Sequence, residues 1–168
     1  MHTRSSTRNL PSIAVRAAPS SYRDRMSANR RLVSSGSDFE SLVGYSRAVR
    51  VGPHIAVAGT TGAGPAGDIA AQTRDALRRI DIALREAGAA LTDVVRTRIY
   101  VTDISRWREV GAVHAEVFGE IRPAATMVEV SALIAPELLV EIEADAYVEP
   151  AAQSPGASAG KVPSGAGR

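Results

Sequence analysis

The sequence predicts an α+β fold in which a mixed β-sheet carries two helices packed on one face. Three patterns support this prediction: a hairpin of two short apolar runs, two segments with helical spacing of apolar residues, and an alternating strand pattern after the first helix. The predicted order is β-β-α-β-α-β-β. Such a sheet leaves its second face bare, so we expect another subunit to cover that face unless it is polar.

The hairpin and the longer helix come first in the chain. Residues 45–51 and 54–60 are β-type runs separated by a Gly-Pro pair, which is typical of a hairpin. Residues 68–87 are predicted as a helix, because their apolar side chains share one face and Gly88 stands where a helix can end. That face consists of Ile69, Thr73, Ala76, Leu77, Ile80, Leu84 and Ala87.

The second half of the sheet surrounds a shorter helix. Residues 94–102 alternate between apolar and polar positions, as a half-buried strand does. Ser105 can cap a helix that ends at Gly119, and two strands follow at residues 126–130 and 138–148. The predicted buried stripe of this helix consists of Trp107, Val110, His114, Val117 and Phe118.

The chain ends differ in composition from the body. Residues 1–30 are rich in serine and arginine, and we interpret them as a disordered extension. If the start of translation has been assigned too early, the chain starts at Met26 instead. Residues 31–150 form the predicted single domain. Residues 151–168 are rich in Ala, Gly, Ser and Pro and are predicted to be a disordered tail.

Composition excludes several classes of function. The 168 residues are 45% hydrophobic, contain no cysteine and have no apolar run long enough to cross a membrane. The net charge of +2 hides a basic start (seven Arg, one Asp; residues 1–31) and an acidic body (11 Arg, 17 acids; residues 32–150). An acidic body argues against nucleic acid as the main partner, and the predicted location is the cytoplasm.

A glycine-rich segment precedes the longer predicted helix. Residues 62–67 match the G-x-G-x-x-G pattern of dinucleotide-binding loops and lie between a strand and a helix. Pro65 removes one amide, however, and Asp68 places a negative charge where a phosphate would bind. We therefore favour a Gly/Pro connection over a nucleotide site.

Few other residues suggest chemistry by pattern alone. His54 and His114 are isolated, so no metal site is predicted, and His114 is expected in the core or at an interface. Glu141, Glu143 and Asp145 share one strand face. Neighbouring carboxylates usually belong to a solvated surface, and the alternative is that one of them orients a water or accepts a proton in a cleft.

Several ordered segments resemble one family. The runs YSRAVRVG, AGT, AQTRDAL, AGAALTDVVRTRIYVTD, VFGEIRPAATMVEVSAL and VEIEADAYV are similar to those of the reactive intermediate deaminase (Rid, YjgF-like) family. The resemblance extends from about residue 44 to residue 148. It implies a chorismate-mutase-like α+β fold, a homotrimer with small-molecule clefts between subunits, and hydrolysis of enamines and imines without a cofactor.

The same resemblance implies particular site residues. Tyr45 matches a tyrosine that borders the family's cleft, and Glu141 matches the glutamate that helps position the attacking water. Ala125 stands where the family has an arginine that binds the substrate carboxylate, and Gly111 stands where a helix asparagine is often found. The implied ligand-binding positions are Tyr45, Gly111, Ala125, Thr126 and Met127, with Glu141 as the catalytic residue.

Three functional hypotheses follow from the missing arginine. The first is a trimer that binds or hydrolyses a small imine or related carbonyl metabolite lacking the usual carboxylate anchor. The second is a binding or regulatory module without turnover. The third is an ordinary enamine/imine deaminase in which Arg47 or Arg98 replaces the anchor; Arg122 is nearby in sequence but lies beyond Pro123.

Overall fold

Six strands form one mixed sheet in the computed structural model, which describes residues 29–149. The predicted N-terminal extension, apart from its last two residues, and the predicted C-terminal tail lie outside these described residues. The strands lie side by side in the order β1-β2-β3-β6-β4-β5. Their bounds are Arg30–Val33 (β1), Ala48–Val51 (β2), His54–Thr61 (β3), Val94–Val101 (β4), Ala124–Glu129 (β5) and Val140–Tyr147 (β6).

The strands differ in direction, and the pairing of β3 with β6 is irregular. All neighbouring strands pair antiparallel except β4 and β5, which pair parallel, so the sheet is mixed as predicted. The pairing of β3 with β6 shifts register between Val57 and Thr60. Gly59 lies within this irregular stretch of β3.

Three helices accompany the sheet: α1 (Asp38–Val43), α2 (Ile69–Glu86) and α3 (Trp107–Phe118). Helices α2 and α3 lie on one face: α2 packs on β3 and β6, α3 packs against α2, and the buried apolar side chains of both helices join those of β3, β4 and β6 in one core. Every residue of the predicted α2 stripe is buried, which confirms that prediction. No helix within residues 29–149 is long and apolar enough to span a membrane.

The α+β class is confirmed, and the structure contains two elements that the predicted order lacks. Strand β1 pairs with β2, and the six-residue helix α1 follows it, so the chain reaches Tyr45 through a folded segment. Both were missed because they are short. Only Val33 of β1 and Glu40 of α1 are buried, so neither element carries an apolar period.

The start of α3 differs from the prediction. A single 3₁₀ turn, Ile104–Arg106, precedes the helix, and Asp103 rather than Ser105 supplies the capping oxygen, which accepts from the Ser105 amide. Trp107 was predicted to be buried but is 48% exposed, with the Arg108 guanidinium over its ring. As the first residue of α3, Trp107 lies outside the contact that buries Val110 and Phe118.

The glycine-rich segment is a connection packed against α2. A Cβ on Gly62 would overlap the backbone oxygen of Gln72, so this glycine permits close contact between loop and helix. The Asp68 carboxylate caps α2 by accepting from the Ala71 amide at 2.8 Å. A side-chain anion therefore already occupies the helix N-terminus, which agrees with the connection and disfavours a phosphate site.

Candidate functional site

Glu141 lies at the start of β6, opposite Tyr100 of β4 and Thr61 of β3. Its side chain is partly buried and extends over Gly59. A Cβ placed on Gly59 would overlap the Glu141 Oε1 atom. The absence of a side chain at residue 59 thus creates the space that this carboxylate occupies.

Arg47, just before β2, reaches the same glycine. Its Nη1 donates to the Gly59 carbonyl at 2.7 Å and to the Thr60 hydroxyl at 3.0 Å. Its Nη2 donates to the Tyr45 hydroxyl at 2.9 Å, and the guanidinium carbon is 5.4 Å from the centre of the Tyr45 ring. We call Tyr45, Arg47, Gly59, Thr60 and Glu141 the Gly59 cluster.

The electrostatic environment of Glu141 favours its protonated form. Burial is the main cause that raises the pKa of this carboxyl, and the negative charge of Glu143 raises it further. Arg47 acts in the opposite direction, because its positive charge favours the carboxylate. A raised pKa makes the carboxylate a stronger base than an ordinary glutamate and so better suited to accept a proton.

A second carboxylate, Glu40 of α1, lies close to this cluster and was not predicted. Its side chain is 9% exposed and accepts hydrogen bonds from the Ser34 hydroxyl (2.5 Å), the Ser35 amide (2.8 Å) and the Ser35 hydroxyl (2.7 Å). These bonds, with a smaller contribution from Arg47, lower its pKa to about 2. The serine-rich run before α1 was the available sequence signal.

The other predicted site residues lie at the β5 edge of the sheet, away from the central strands that carry Gly59 and Glu141. Ala125 and Met127 belong to the edge strand β5, and their partners in β4 are Thr97 and Ile99, whose side chains face the helices. Gly111 lies on α3, whose His114 contacts Thr97. We call Gly111, Ala125 and Met127 the β5–α3 edge.

Within one chain the two groups are separate. Strand β4 lies between β5 and β6, so two strand spacings, roughly 10 Å, separate the β5–α3 edge from Glu141. The Glu141 side chain also points to the open face of the sheet, whereas Ala125 is in register with the buried Thr97. Thr126 is paired with Arg98 and shares the open face.

His114 lies beneath the β5–α3 edge. Its Nε2 is 3.0 Å from the Thr97 hydroxyl oxygen, and its ring packs on Phe118 with centroids 4.7 Å apart. Burial lowers the pKa of the imidazole, so the neutral form is favoured at pH 7. It is half-buried at the junction of α3 and the sheet.

The three arginines considered as replacement anchors have different positions. Arg98 forms ion pairs on the open face with Asp145 (3.0 Å) and Glu143 (3.4 Å). Arg122 donates from Nε to the Gly119 carbonyl at the end of α3. Arg47 meets Glu141 at Gly59, and its positive charge lowers the pKa of that carboxyl.

The row of acidic residues on β6 is therefore divided. Glu143 and Asp145 share the Arg98 guanidinium, as expected for a polar sheet face. Glu141 alone enters the Gly59 cluster. Among residues 29–149 no group of three potential metal ligands is found.

Comparisons with known proteins agree with this architecture. The profile of the Endoribonuclease L-PSP family matches residues 35–148. A RutC family protein of Pyrococcus abyssi is 42% identical over 111 residues, which span 62% of this chain and 87% of that protein. A 3-aminoacrylate deaminase, RutC of Acinetobacter baylyi, is 42% identical over 82 residues, spanning 49% of this chain and 64% of the deaminase.

A solved structure supports the same family relationship. The crystal structure of a YjgF/YER057c/UK114 family member from Mycobacterium tuberculosis superposes with a TM-score of 0.69. The two sequences are 78% identical, and the match covers 71% of this chain and 99% of that one. The architecture is thus the chorismate-mutase-like fold of these proteins, and the chain belongs to the Endoribonuclease L-PSP family, which includes the YjgF and RutC proteins.

Proposed function

We propose that this protein is a cofactor-independent hydrolase of small imines that lack a carboxylate, with Glu141 as the catalytic acid–base group. The observation that carries the proposal is the placement of the Glu141 carboxyl over Gly59, partly buried, with a raised pKa and with Arg47 beside it. The similarity to a 3-aminoacrylate deaminase supports deaminating chemistry.

The reaction needs one group that can exchange protons. Water adds to the carbon of the C=N bond while the Glu141 carboxylate accepts one of its protons, and the protonated carboxyl then passes that proton to the nitrogen. In the resulting carbinolamine the Glu141 carboxylate takes the proton of the hydroxyl group and returns it to the nitrogen, so that the oxygen forms the carbonyl, the C–N bond breaks, and ammonia leaves. A carboxyl whose pKa is raised can accept and return protons in these steps.

The cleft requires a second subunit. The Gly59 cluster lies on the central strands β3 and β6 and the β5–α3 edge lies at the margin of the sheet on its other face, so the two groups do not meet within one chain. We propose a homotrimer in which the cluster of one subunit faces the β5–α3 edge of the next. Apolar side chains exposed on α1 (Phe39, Leu42 and Val43) and on the open sheet face (Val51, Val95 and Val128) support coverage by another copy.

The β5–α3 edge indicates what the substrate lacks. Ala125, Met127 and Gly111 supply no charge, and the neutral imidazole of His114 lies beneath them. A carboxylate bound there would lose its hydration without gaining an ion pair, which costs several kcal/mol. An uncharged imine or a related carbonyl compound avoids this cost.

One observation favours a second function. Arg47 is fixed beside Glu141 by three hydrogen bonds, and a guanidinium in that position has the geometry to hold a carboxylate. In that case the protein is an ordinary 2-imino acid deaminase with its anchor on the other wall of the cleft.

Paired substrates distinguish the two functions. An amine oxidase generates uncharged imines from primary amines, and an amino-acid oxidase generates 2-imino acids. We expect the protein to accelerate ammonia release from the uncharged imines, and Glu141→Gln to lower the rate by about 100-fold, because general acid–base catalysis contributes that much.

Other outcomes would contradict the proposal in different ways. Acceleration with 2-imino acids alone would support the Arg47-anchored deaminase. Saturable binding of an imine without ammonia release would support a regulatory binding module. Equal rates in the wild type and Glu141→Gln would exclude Glu141 as the catalytic group.

A further inference from the structure

Arg50 of β2 is held beside the end of α2. Its Nε donates to the Gly52 carbonyl at 2.9 Å, and its Nη1 donates to the Ala87 and Gly88 carbonyls, each at 2.9 Å. A Cβ on Gly88 would lie only 2.9 Å from Nη1, so this glycine makes room for the guanidinium. Bonds to three main-chain oxygens thus fix Arg50, while its Nη2 has no hydrogen-bond partner among residues 29–149.

Arg31 lies directly opposite Arg50. The two residues are register partners in the antiparallel pair of β1 and β2. Their side chains leave the same face of the sheet as those of the partners Val33 and Ala48, which are buried beneath the helices. Like charges directly opposite each other destabilise a strand pair. An anion bound between the two guanidinium groups would replace this repulsion by two attractions.

A cavity of about 270 Å³ lies at these side chains. Its lining residues are basic or neutral: Asn29, Arg30, Arg31, Arg50 and Gly52. The Asn29 side-chain amide adds a donor beside Gly52, since its Nδ2 is 3.4 Å from the place that a Cβ on Gly52 would take. The ion pairs found within residues 29–149 include none of the three arginines. The cavity therefore combines positive charge and donors without an acidic residue in its lining.

We propose that this cavity binds a phosphate group, either inorganic phosphate or that of a small phosphorylated metabolite, between Arg31 and Arg50. The planar guanidinium presents parallel N–H donors that match two oxygens of a phosphate. Because Arg50 is already fixed by the main chain, binding orders one arginine fewer. Pockets for small molecules have volumes from roughly 300 Å³ upward, so this cavity suits a phosphate with a small organic group.

The phosphate cavity is separate from the Gly59 cluster, although both involve residues at β2. Side chains alternate along a strand, so Arg50 lies on the helix-covered face with Ala48. Arg47 instead donates to Gly59, over which the Glu141 carboxyl lies. Phosphate binding is therefore independent of imine hydrolysis, and either can be absent without the other.

Isothermal titration calorimetry of the full chain with inorganic phosphate, in a buffer free of phosphate and sulfate, is the test. We expect saturable binding of one phosphate per chain, and binding at least about 10-fold weaker in Arg31→Gln, because a charge-assisted hydrogen bond contributes that much. Arg78→Gln removes the same charge from the exposed side of α2, so it is the matched control and should bind as the wild type does. No saturable binding, or equal weakening in both variants, would overturn the proposal.

Thermal unfolding gives a second readout that does not depend on the heat of binding. Phosphate should raise the unfolding midpoint of the wild type and leave that of Arg31→Gln unchanged. Without phosphate, Arg31→Gln should unfold no lower than the wild type, since it removes the repulsion from Arg50 and no hydrogen bond of the Arg31 side chain is found within residues 29–149. A lower midpoint would contradict the repulsion between the two arginines.

Two competitors distinguish the sources of the phosphate group. Glycerol phosphate, a small phosphomonoester, should displace inorganic phosphate from the wild type at similar or lower concentration. A single-stranded oligonucleotide should compete poorly, because the cavity is small and the body of the chain is acidic. Stronger competition by the oligonucleotide would contradict the assignment to a small phosphorylated ligand.

Discussion

The carboxylate of Glu141 occupies the space above Gly59 that a side chain would fill at any other residue. The carbonyl of the same glycine accepts from Arg47 at 2.7 Å. A carboxyl and a guanidinium that are 94 positions apart in sequence (141 − 47) therefore meet at one glycine.

This relationship makes Gly59→Ala a direct probe of the site. Gly59 has no positive φ, so alanine is compatible with its backbone, but the new methyl group displaces Glu141. We expect the imine-hydrolysis rate to fall at least about 10-fold, because a displaced catalytic group loses its orientation. The free energy of unfolding should fall by no more than about 2 kcal/mol. Steady-state kinetics and urea unfolding measure the two effects, and an unchanged rate would show that the position of Glu141 over Gly59 has no catalytic importance.

Gly111→Ala is the matched glycine substitution and should act in the opposite direction on stability. Gly111 lies inside α3, and an added Cβ would meet only Trp107, at an ordinary 3.8 Å. Alanine in a helix interior is favoured over glycine by about 0.5–1 kcal/mol, so the midpoint of urea unfolding should rise. A lower midpoint would indicate that α3 needs the flexibility of glycine or that a partner subunit occupies this space.

The free energy of unfolding at acid pH should depend on Glu40. Its pKa falls from 4.5 to about 2 on folding, so the folded state gains stability above pH 4.5 and loses it as the pH falls from 4.5 toward 2. In Glu40→Gln this contribution is missing, and the unfolding free energy should change less over that pH range. Urea unfolding at several pH values from 2 to 6 measures the difference. Parallel curves for the wild type and the variant would contradict the lowered pKa.

The sequence predicts the layered part of the fold well. Helix α2 was predictable because its buried residues recur at helical spacing and Gly88 follows its end. Strand β1 and helix α1 were not, since each buries only one side chain. Trp107 follows the apolar period of α3 but is the first residue of that helix and is exposed, so periodicity alone assigned it to the core.

The candidate site was predictable in part. The resemblance pointed to Tyr45 and Glu141, and the structure connects them through Arg47. The roles of Gly59 and Glu40 depend on the register shift in β3 and on the loop after β1, which no local pattern reveals. Separation of the β5–α3 edge from Glu141 likewise follows from strand order, which a linear sequence does not show.

In the proposed function, the cleft that contains Glu141 has no carboxylate anchor at residue 125, where the chain carries alanine. Ala125 is exposed on the edge strand, so an arginine can be accommodated there without displacing the core. The most direct measurement compares ammonia release from 2-imino acids by the wild type, Ala125→Arg and Ala125→Arg/Glu141→Gln. We expect little acceleration by the wild type, a clear gain in Ala125→Arg, and loss of that gain in the double variant. Rapid hydrolysis of 2-imino acids by the wild type would contradict it and would identify Arg47 as the anchor to examine first.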